Sequence, residues 1–230
     1  MTVDRVTVVK NVLAGNERIA ERNRGRVEAA NVFCLNVISA PGAGKTSLIV
    51  KTLAALRGRA RVGVIEGDIA GDIDTQKVLA GGAVDAVQIN TGGECHLEAS
   101  MVEGALEALE LEGLDVLFVE NVGNLVCPAE FALGERVKVC LSSAAEGDDK
   151  PVKYPEIFIA AQVVVLNKMD LAPLVDFDRE RFLRSLRALN PTCPVFELSC
   201  RTGEGVDAWA DWVVEQLAAV RAGGLVGANR

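Results

Sequence analysis

The sequence has no excess of basic residues, no apolar run of membrane-spanning length, no signal-peptide pattern and a single histidine. Its 24 Lys and Arg against 32 Asp and Glu give a formal net charge of −8, which argues against a nucleic-acid-binding surface. The longest apolar stretch, residues 157–166, is too short for a bilayer and is interrupted by Gln162. The N-terminus lacks the charged-then-apolar pattern of a secretory leader. The six cysteines are scattered rather than set at framework spacings, so a reducing cytoplasm is the expected location. What remains is ordinary: half of the 230 residues are hydrophobic and 24% are charged. That is enough chain for one large domain with a proper core.

From Phe33 onward, apolar segments of strand length alternate with helical patterns. This predicts an α/β fold with a mostly parallel sheet and helices on both faces. Strands are expected at 33–38, 61–65, 86–89, 116–119, 137–141, 163–166 and 195–198. Three apolar stripes between them have helical spacing: Leu97, Met101, Ala105 and Leu109, stopped by Gly113; Phe182, Leu183, Leu186 and Leu189, ended by Asn190-Pro191; and Val206, Trp209, Val213 and Leu217. Residues 1–30 are charged, with Leu13, Ile19 and Val27 as sparse anchors. They are read as an N-terminal helix ending near Gly25, a disordered leader being the alternative. The main domain is expected over 31–222 and a frayed tail over 223–230.

Ser39 to Ser47, SAPGAGKTS, joins the first expected strand to a helix. Strand, glycine-bearing loop, Lys-Ser/Thr and helix is the context of a phosphate-binding loop, so a P-loop NTPase is expected. Gly42 and Gly44 let the backbone curl so that N–H groups, with those of Ala43 and Ser47, face an anion at a helix N-terminus. Lys45 can reach the β- and γ-phosphates, and the Thr46 hydroxyl can ligate Mg²⁺. Ser39 stands where the usual pattern begins with Gly.

In an open α/β sheet, ligands sit beyond the carboxyl ends of the strands. Three polar clusters fall there: Glu66-Gly67-Asp68 with Asp72 and Asp74, Glu120 to Asn124, and Asn167-Lys168-Met169-Asp170. The last resembles the guanine-specificity tetrad of GTPases. In that arrangement Asp170 accepts from the guanine N1–H and exocyclic amine, which adenine does not offer. Ser199, Cys200 and Arg201 fall where the last guanine-contacting loop would lie. Asp68 is expected to hold Mg²⁺ directly or through water, Glu120 to position the metal or the attacking water, and Gly123 to sense the γ-phosphate.

Cys95 and His96 adjoin the start of an expected helix, where the helix dipole lowers a thiol's pKa toward the ligating form. Cys127 follows the Glu120 loop. Thiolate and imidazole suit Zn²⁺ or Ni²⁺, although a chance pair and a small apolar filler are the plainer alternatives. Two thiols and one imidazole leave a tetrahedral site one ligand short, which favours an exchangeable site or one completed by another subunit.

The segments ISAPGAGKTSL, VIEGDIAGDID, NTGGECHLEA, ENVGNLVCPAEFALGE, AEGDDKPVKYP, VVVLNKMDL and ELSCRTGEGVDAW together resemble the HypB family of hydrogenase nickel-incorporation GTPases. The resemblance runs in order from about Asn31 to Trp212. It implies a G domain of the signal-recognition/MinD-related class, slow GTP hydrolysis with Mg²⁺, and a homodimer formed through nucleotide. It also implies a HypA-type metallochaperone and a [NiFe]-hydrogenase large-subunit precursor as partners. By the same resemblance, Cys95, His96 and Cys127 are the Ni/Zn ligands, shared across the dimer. Lys45 and Thr46 serve phosphate and Mg²⁺, and Asn167, Lys168 and Asp170 read guanine. Neither an N-terminal cysteine motif nor a histidine-rich tract is present, so high-capacity nickel storage is not expected. Cys34 and Cys140 are expected in the core, while Cys193 has no assignment. A urease-maturation GTPase, an ATP-dependent small-molecule kinase and a metal-binding module with an inactive P-loop are the alternatives.

Overall fold

The structure, a computed structural model, describes residues 5–223 apart from 69, 70 and 72. Asp72 and the expected tail beyond Gly223 thus lie outside the described residues. Among the described residues, seven strands form one sheet: β1 (Phe33–Ser39), β2 (Val62–Asp68), β3 (Asp85–Asn90), β4 (Val116–Glu120), β5 (Val137–Ser143), β6 (Val163–Asn167) and β7 (Val195–Glu197). Every pairing is parallel, in the order β3-β2-β4-β1-β5-β6-β7. The helices are α1 (Arg5–Ala29), α2 (Lys45–Ala55), α3 (Ile73–Gly81), α4 (Ala99–Ala108), α5 (Cys127–Glu130), α6 (Lys150–Lys153), α7 (Pro155–Ala160), α8 (Arg179–Leu189) and α9 (Val206–Arg221).

The two-residue period of β1 divides the core between the faces of the sheet. Phe33, Leu35 and Val37 meet Leu48, Ile49 and Leu53 of α2, Val78 of α3 and Trp209 and Val213 of α9. On the other face, Cys34 joins Val27 of α1 and Val102 and Leu106 of α4. Beside them, Ile38 packs with Phe158 of α7 and Phe182 and Leu186 of α8. Cys34 and Cys140 are buried in this core as expected, and Cys193 is buried beside Cys140.

Three boundaries differ from expectation, each for a local reason. Helix α1 passes through Gly25, beside which a Cβ would find open space. It continues to Ala29, carrying the buried Val27, and the chain turns off at Asn31 with φ 57. Strand β2 continues past its apolar run, so Glu66, Gly67 and Asp68 are strand residues paired with Gln88, Ile89 and Asn90 of β3 rather than the start of a loop. Helix α4 begins at Ala99, because Glu98 is extended (φ −104, ψ 157) and the Leu97 N–H donates to Asn121 Oδ1 instead of entering a helix. Cys95 and His96 therefore lie on a turn ahead of the helix.

Candidate nucleotide and metal site

The loop after β1 opens at the middle of the sheet, between β4 and β5, where the chain order changes direction and ligands collect. Gly42 (φ 79) and Gly44 (φ 106) take left-handed conformations that suit glycine. At Gly44 space matters too, since a Cβ there would meet Asn167 Nδ2 at 2.7 Å. The Lys45 ammonium folds back over the loop, 3.4 Å from Ser39 Oγ and 4.0 Å from Glu120 Oε1. The unusual Ser39 thus gives that lysine a hydroxyl partner. Thr46 Oγ1 donates to Glu120 Oε1 at 3.0 Å, so the hydroxyl and carboxylate expected at Mg²⁺ stand side by side. An oxygen pair of this kind suits a hard divalent cation.

Glu66, which the sequence reading treats only as the start of a loop, lies directly opposite Glu120 in the β2–β4 register. Both are buried, at 2% and 6% exposure. Burial first, and then the charge of Glu120, pushes the Glu66 carboxyl up to about 10. It is therefore the protonated member and donates to Glu120. Burial also raises Glu120, but the Lys45 charge and the bonds from Glu66 and Thr46 oppose the rise. Glu120 thus sits among a lysine, a threonine and the Glu66 acid, with burial as the dominant influence on its carboxyl and the Lys45 charge working against it. Only the register of two strands brings Glu66 into this group. Asp68, one step beyond Gly67, ends β2 and does not line the cleft, whereas Asp74 of α3 does.

The other end of the cleft is lined by Asn167, Lys168, Asp170, Cys200 and Arg201. Asn167, 1% exposed, donates to the Ala43 carbonyl at 3.0 Å and accepts from the N–H groups of Lys168 and Cys200 at 2.7 and 3.1 Å. It joins the phosphate loop to both loops at the base end of the cleft. Lys168 takes φ 58 and donates to the Gly42 carbonyl at 2.6 Å. Asp170 Oδ1 accepts from Ser199 Oγ at 2.6 Å, so Ser199 acts on the carboxylate rather than on the cleft.

Cys95 Sγ lies 3.2 Å from Cys127 Sγ and 3.6 Å from His96 Nδ1, and the three ligand atoms all fall within 4.8 Å of one another. His96 Nε2 is buried and has no hydrogen-bond partner among the described residues. The imidazole packs on Phe131 with ring centroids 4.2 Å apart. Two soft thiols and an imidazole at this spacing fit Zn²⁺ or Ni²⁺. The Cys95 thiol is nevertheless raised, chiefly by its hydrogen bond to Cys127 and then by burial. The expectation of a helix-lowered thiol therefore fails, because α4 starts too late to act on it. Metal binding here must displace thiol protons, so it strengthens as pH rises.

The two sites share a wall. A Cβ on Gly67 would meet Leu97 Cδ1 at 2.7 Å and the Glu120 carbonyl at 2.9 Å, so the residue after His96 rests against the ends of β2 and β4. Asn121 Oδ1 accepts from both Leu97 N–H and Val122 N–H, at 3.1 and 3.0 Å. Asn124 donates to the Cys95 carbonyl at 3.3 Å. Gly123 packs on the phosphate loop itself, where a Cβ would lie 3.0 Å from Pro41 Cα. One loop thus runs from Glu120, past the phosphate loop, to Cys127.

A parallel sheet with this loop at its central strand, and a lysine, hydroxyl and carboxylate gathered around it, defines a P-loop nucleotide-binding protein. Residues 33–197 match the family model of the CobW/HypB/UreG nucleotide-binding domain. The chain is 49% identical over 216 residues to the hydrogenase maturation factor HypB of Azotobacter chroococcum mcd 1, covering 93% of this chain and 70% of that protein. It is 46% identical over 209 residues to the HypB of Escherichia coli (strain K12), covering 91% and 72%. The crystal structure of HypB from Helicobacter pylori in complex with nickel superposes with a TM-score of 0.86 at 33% identity, over 94% of this chain and 99% of that one. The chain belongs to the HypB family of hydrogenase maturation factors. Among the described residues, no helix is long and apolar enough to cross a membrane.

Proposed function

We propose that this protein is a metal-regulated GTPase that carries nickel toward [NiFe]-hydrogenase precursors in the cytoplasm. The observation that supports it most is the loop from Glu120 to Cys127, which borders both the phosphate loop and the Cys95–His96–Cys127 cluster. Lys45 binds the β- and γ-phosphates, and Asp170 selects guanine over adenine. Thr46 and Glu120 hold Mg²⁺, and Asp68, which ends β2 outside the cleft lining, reaches it through water. When bound, the ion neutralises charge on the phosphate oxygens. Gly123 brings the loop backbone to the γ-phosphate side, so GTP orders this loop and hydrolysis releases it. Among the described residues, Arg201 is the one arginine lining the cleft, and it sits beside Asp170 at the base end rather than at the phosphate loop. A slow intrinsic rate follows. The two-thiol, one-imidazole set leaves a fourth position for an exchangeable ligand or for a second copy of the chain. Homodimerisation through nucleotide, delivery by a HypA-type metallochaperone and transfer to the hydrogenase large subunit complete the reading.

The test is metal titration of the wild type and of Cys127→Ala, using Ni²⁺ and Zn²⁺ in competition with a chelating indicator. Losing a ligand must cost at least as much as losing a partner that merely orients one, so affinity is expected to fall at least about tenfold. Equal affinities would remove the cargo half of the proposal.

A further inference from the structure

Helix α1 precedes the region that matches the nucleotide-binding family, and none of its described side chains lines the cleft or belongs to the Cys/His cluster. Two of its asparagines nevertheless grip both segments that carry the candidate ligands. Asn16 Oδ1 accepts from the Ala99 N–H at 2.8 Å while its Nδ2 donates to the Ala132 carbonyl at 2.7 Å. About two turns further along the same face, Asn23 Nδ2 donates to the carbonyls of Ala99 at 2.8 Å and Leu133 at 2.9 Å. Asn23 is 2% exposed, so these bonds are shielded from water, where a lost partner is costly. Ala99 is the first residue of α4, just after His96, and Ala132 and Leu133 follow the Phe131 ring that packs on His96.

The fit between α1 and the second segment is close. Gly134 takes φ +103, and a Cβ on it would meet Asn23 Cβ at 2.6 Å and the Ala20 carbonyl at 2.8 Å. The backbone beyond Cys127 therefore lies directly on α1. The ligand-bearing pieces have little regular structure of their own: Cys95 is on an exposed turn, and Cys127 opens a four-residue helix. Their separation is set by what they are tied to. A planar amide that donates to one strand of chain and accepts from another is a short strut of fixed length.

We propose that Asn16 and Asn23 are positioning residues of the metal site. They hold the segments around residues 95–99 and 127–134 at the separation that brings Cys95, His96 and Cys127 together. The proposal rests on the metal-binding reading given above, and it makes the N-terminal helix part of the metal site rather than an appendage to the GTPase domain.

The test uses the full chain, titrated with NiCl₂ and ZnCl₂ against a chelating indicator and, separately, with a fluorescent GDP analogue. Asn16 is only partly buried, so Asn16→Ala should fold. It is expected to weaken metal binding about tenfold or more and to alter the thiolate-to-nickel absorption band, with GDP affinity within about twofold of wild type. Asn16→Asp keeps the acceptor for the Ala99 N–H but sets a carboxylate against the Ala132 carbonyl, so it should lose at least as much. Asn23→Ala should follow the same pattern with a lower melting temperature. Wild-type metal affinity in both Asn16 variants would overturn the proposal. So would a parallel loss of metal and GDP affinity, which marks general damage to the fold. If Cys127→Ala also binds metal as tightly as wild type, the metal-site reading itself is wrong and the positioning role falls with it.

Discussion

Asp170→Asn is expected to lower GTP affinity by about 10²–10⁴-fold, the loss of two hydrogen bonds to a charged group at roughly 1.5–3 kcal/mol each. The carboxylate is already oriented: Oδ1 accepts from Ser199 Oγ at 2.6 Å, and Arg201 stands 3.9 Å from Oδ2. A carboxylate has about four acceptor positions, so the serine leaves room for guanine N1–H and the exocyclic amine. Asparagine accepts on one oxygen only and turns an NH₂ toward the amine of the base. Xanthine carries a carbonyl at that position, so the variant should bind XTP more tightly than GTP. Calorimetric titration with GTP, XTP and ATP reads all three. An unchanged GTP affinity would mean that the base does not lie against Asp170, and it would revive an ATP-dependent kinase reading.

Lys45→Ala should slow GTP hydrolysis by about 10²–10³-fold, the usual loss when one preorganised donor to developing negative charge is removed. The ammonium is confined, with its side chain only 10% exposed, between Ser39 Oγ and Glu120 Oε1. Its loss acts twice. It removes the positive charge from the phosphate side, and it removes the influence that holds down the pKa of the buried Glu120. GDP binding should suffer less, because the backbone N–H groups of the loop remain in place. Single-turnover phosphate release separates the two effects. Undiminished hydrolysis in the variant would favour a metal-binding module whose P-loop is inactive.

The parts of this molecule legible in the sequence are those whose signal is local. Apolar runs of strand length mark all seven strands, from the fully buried β1, β4 and β6 to the half-buried edge strands β3 and β7. The phosphate loop and the Asn167 tetrad carry their chemistry at fixed spacing. Cys95, His96 and Cys127 were singled out by residue type and by their place after strand ends, and their ligand atoms do converge. What was not legible depends on register and long-range hydrogen bonds. Glu66 becomes part of the carboxylate pair only because β2 lies beside β4 with Glu66 opposite Glu120. Asn36, in the middle of β1, is buried between Asn121 and Glu135, bonded to them at 3.2 and 3.3 Å. No spacing rule announces those partners. The ties from Asn16 and Asn23 to Ala99 and the 132–133 segment cross from α1 to distant chain in the same way. The Cys95 thiol was expected to be lowered by a helix that in fact starts later, and its neighbour Cys127 raises it instead.

If one loop serves both phosphate and metal, nucleotide and metal must bias each other equally. The decisive measurement is Ni²⁺ affinity of the wild-type protein with GDP bound and with a non-hydrolysable GTP analogue bound, at fixed pH. The two affinities are predicted to differ by roughly five- to 150-fold, the usual range of coupling between sites, with the same ratio recovered when nucleotide is titrated with and without Ni²⁺. Identical Ni²⁺ affinities in the two nucleotide states would contradict a GTPase that times the handling of its metal.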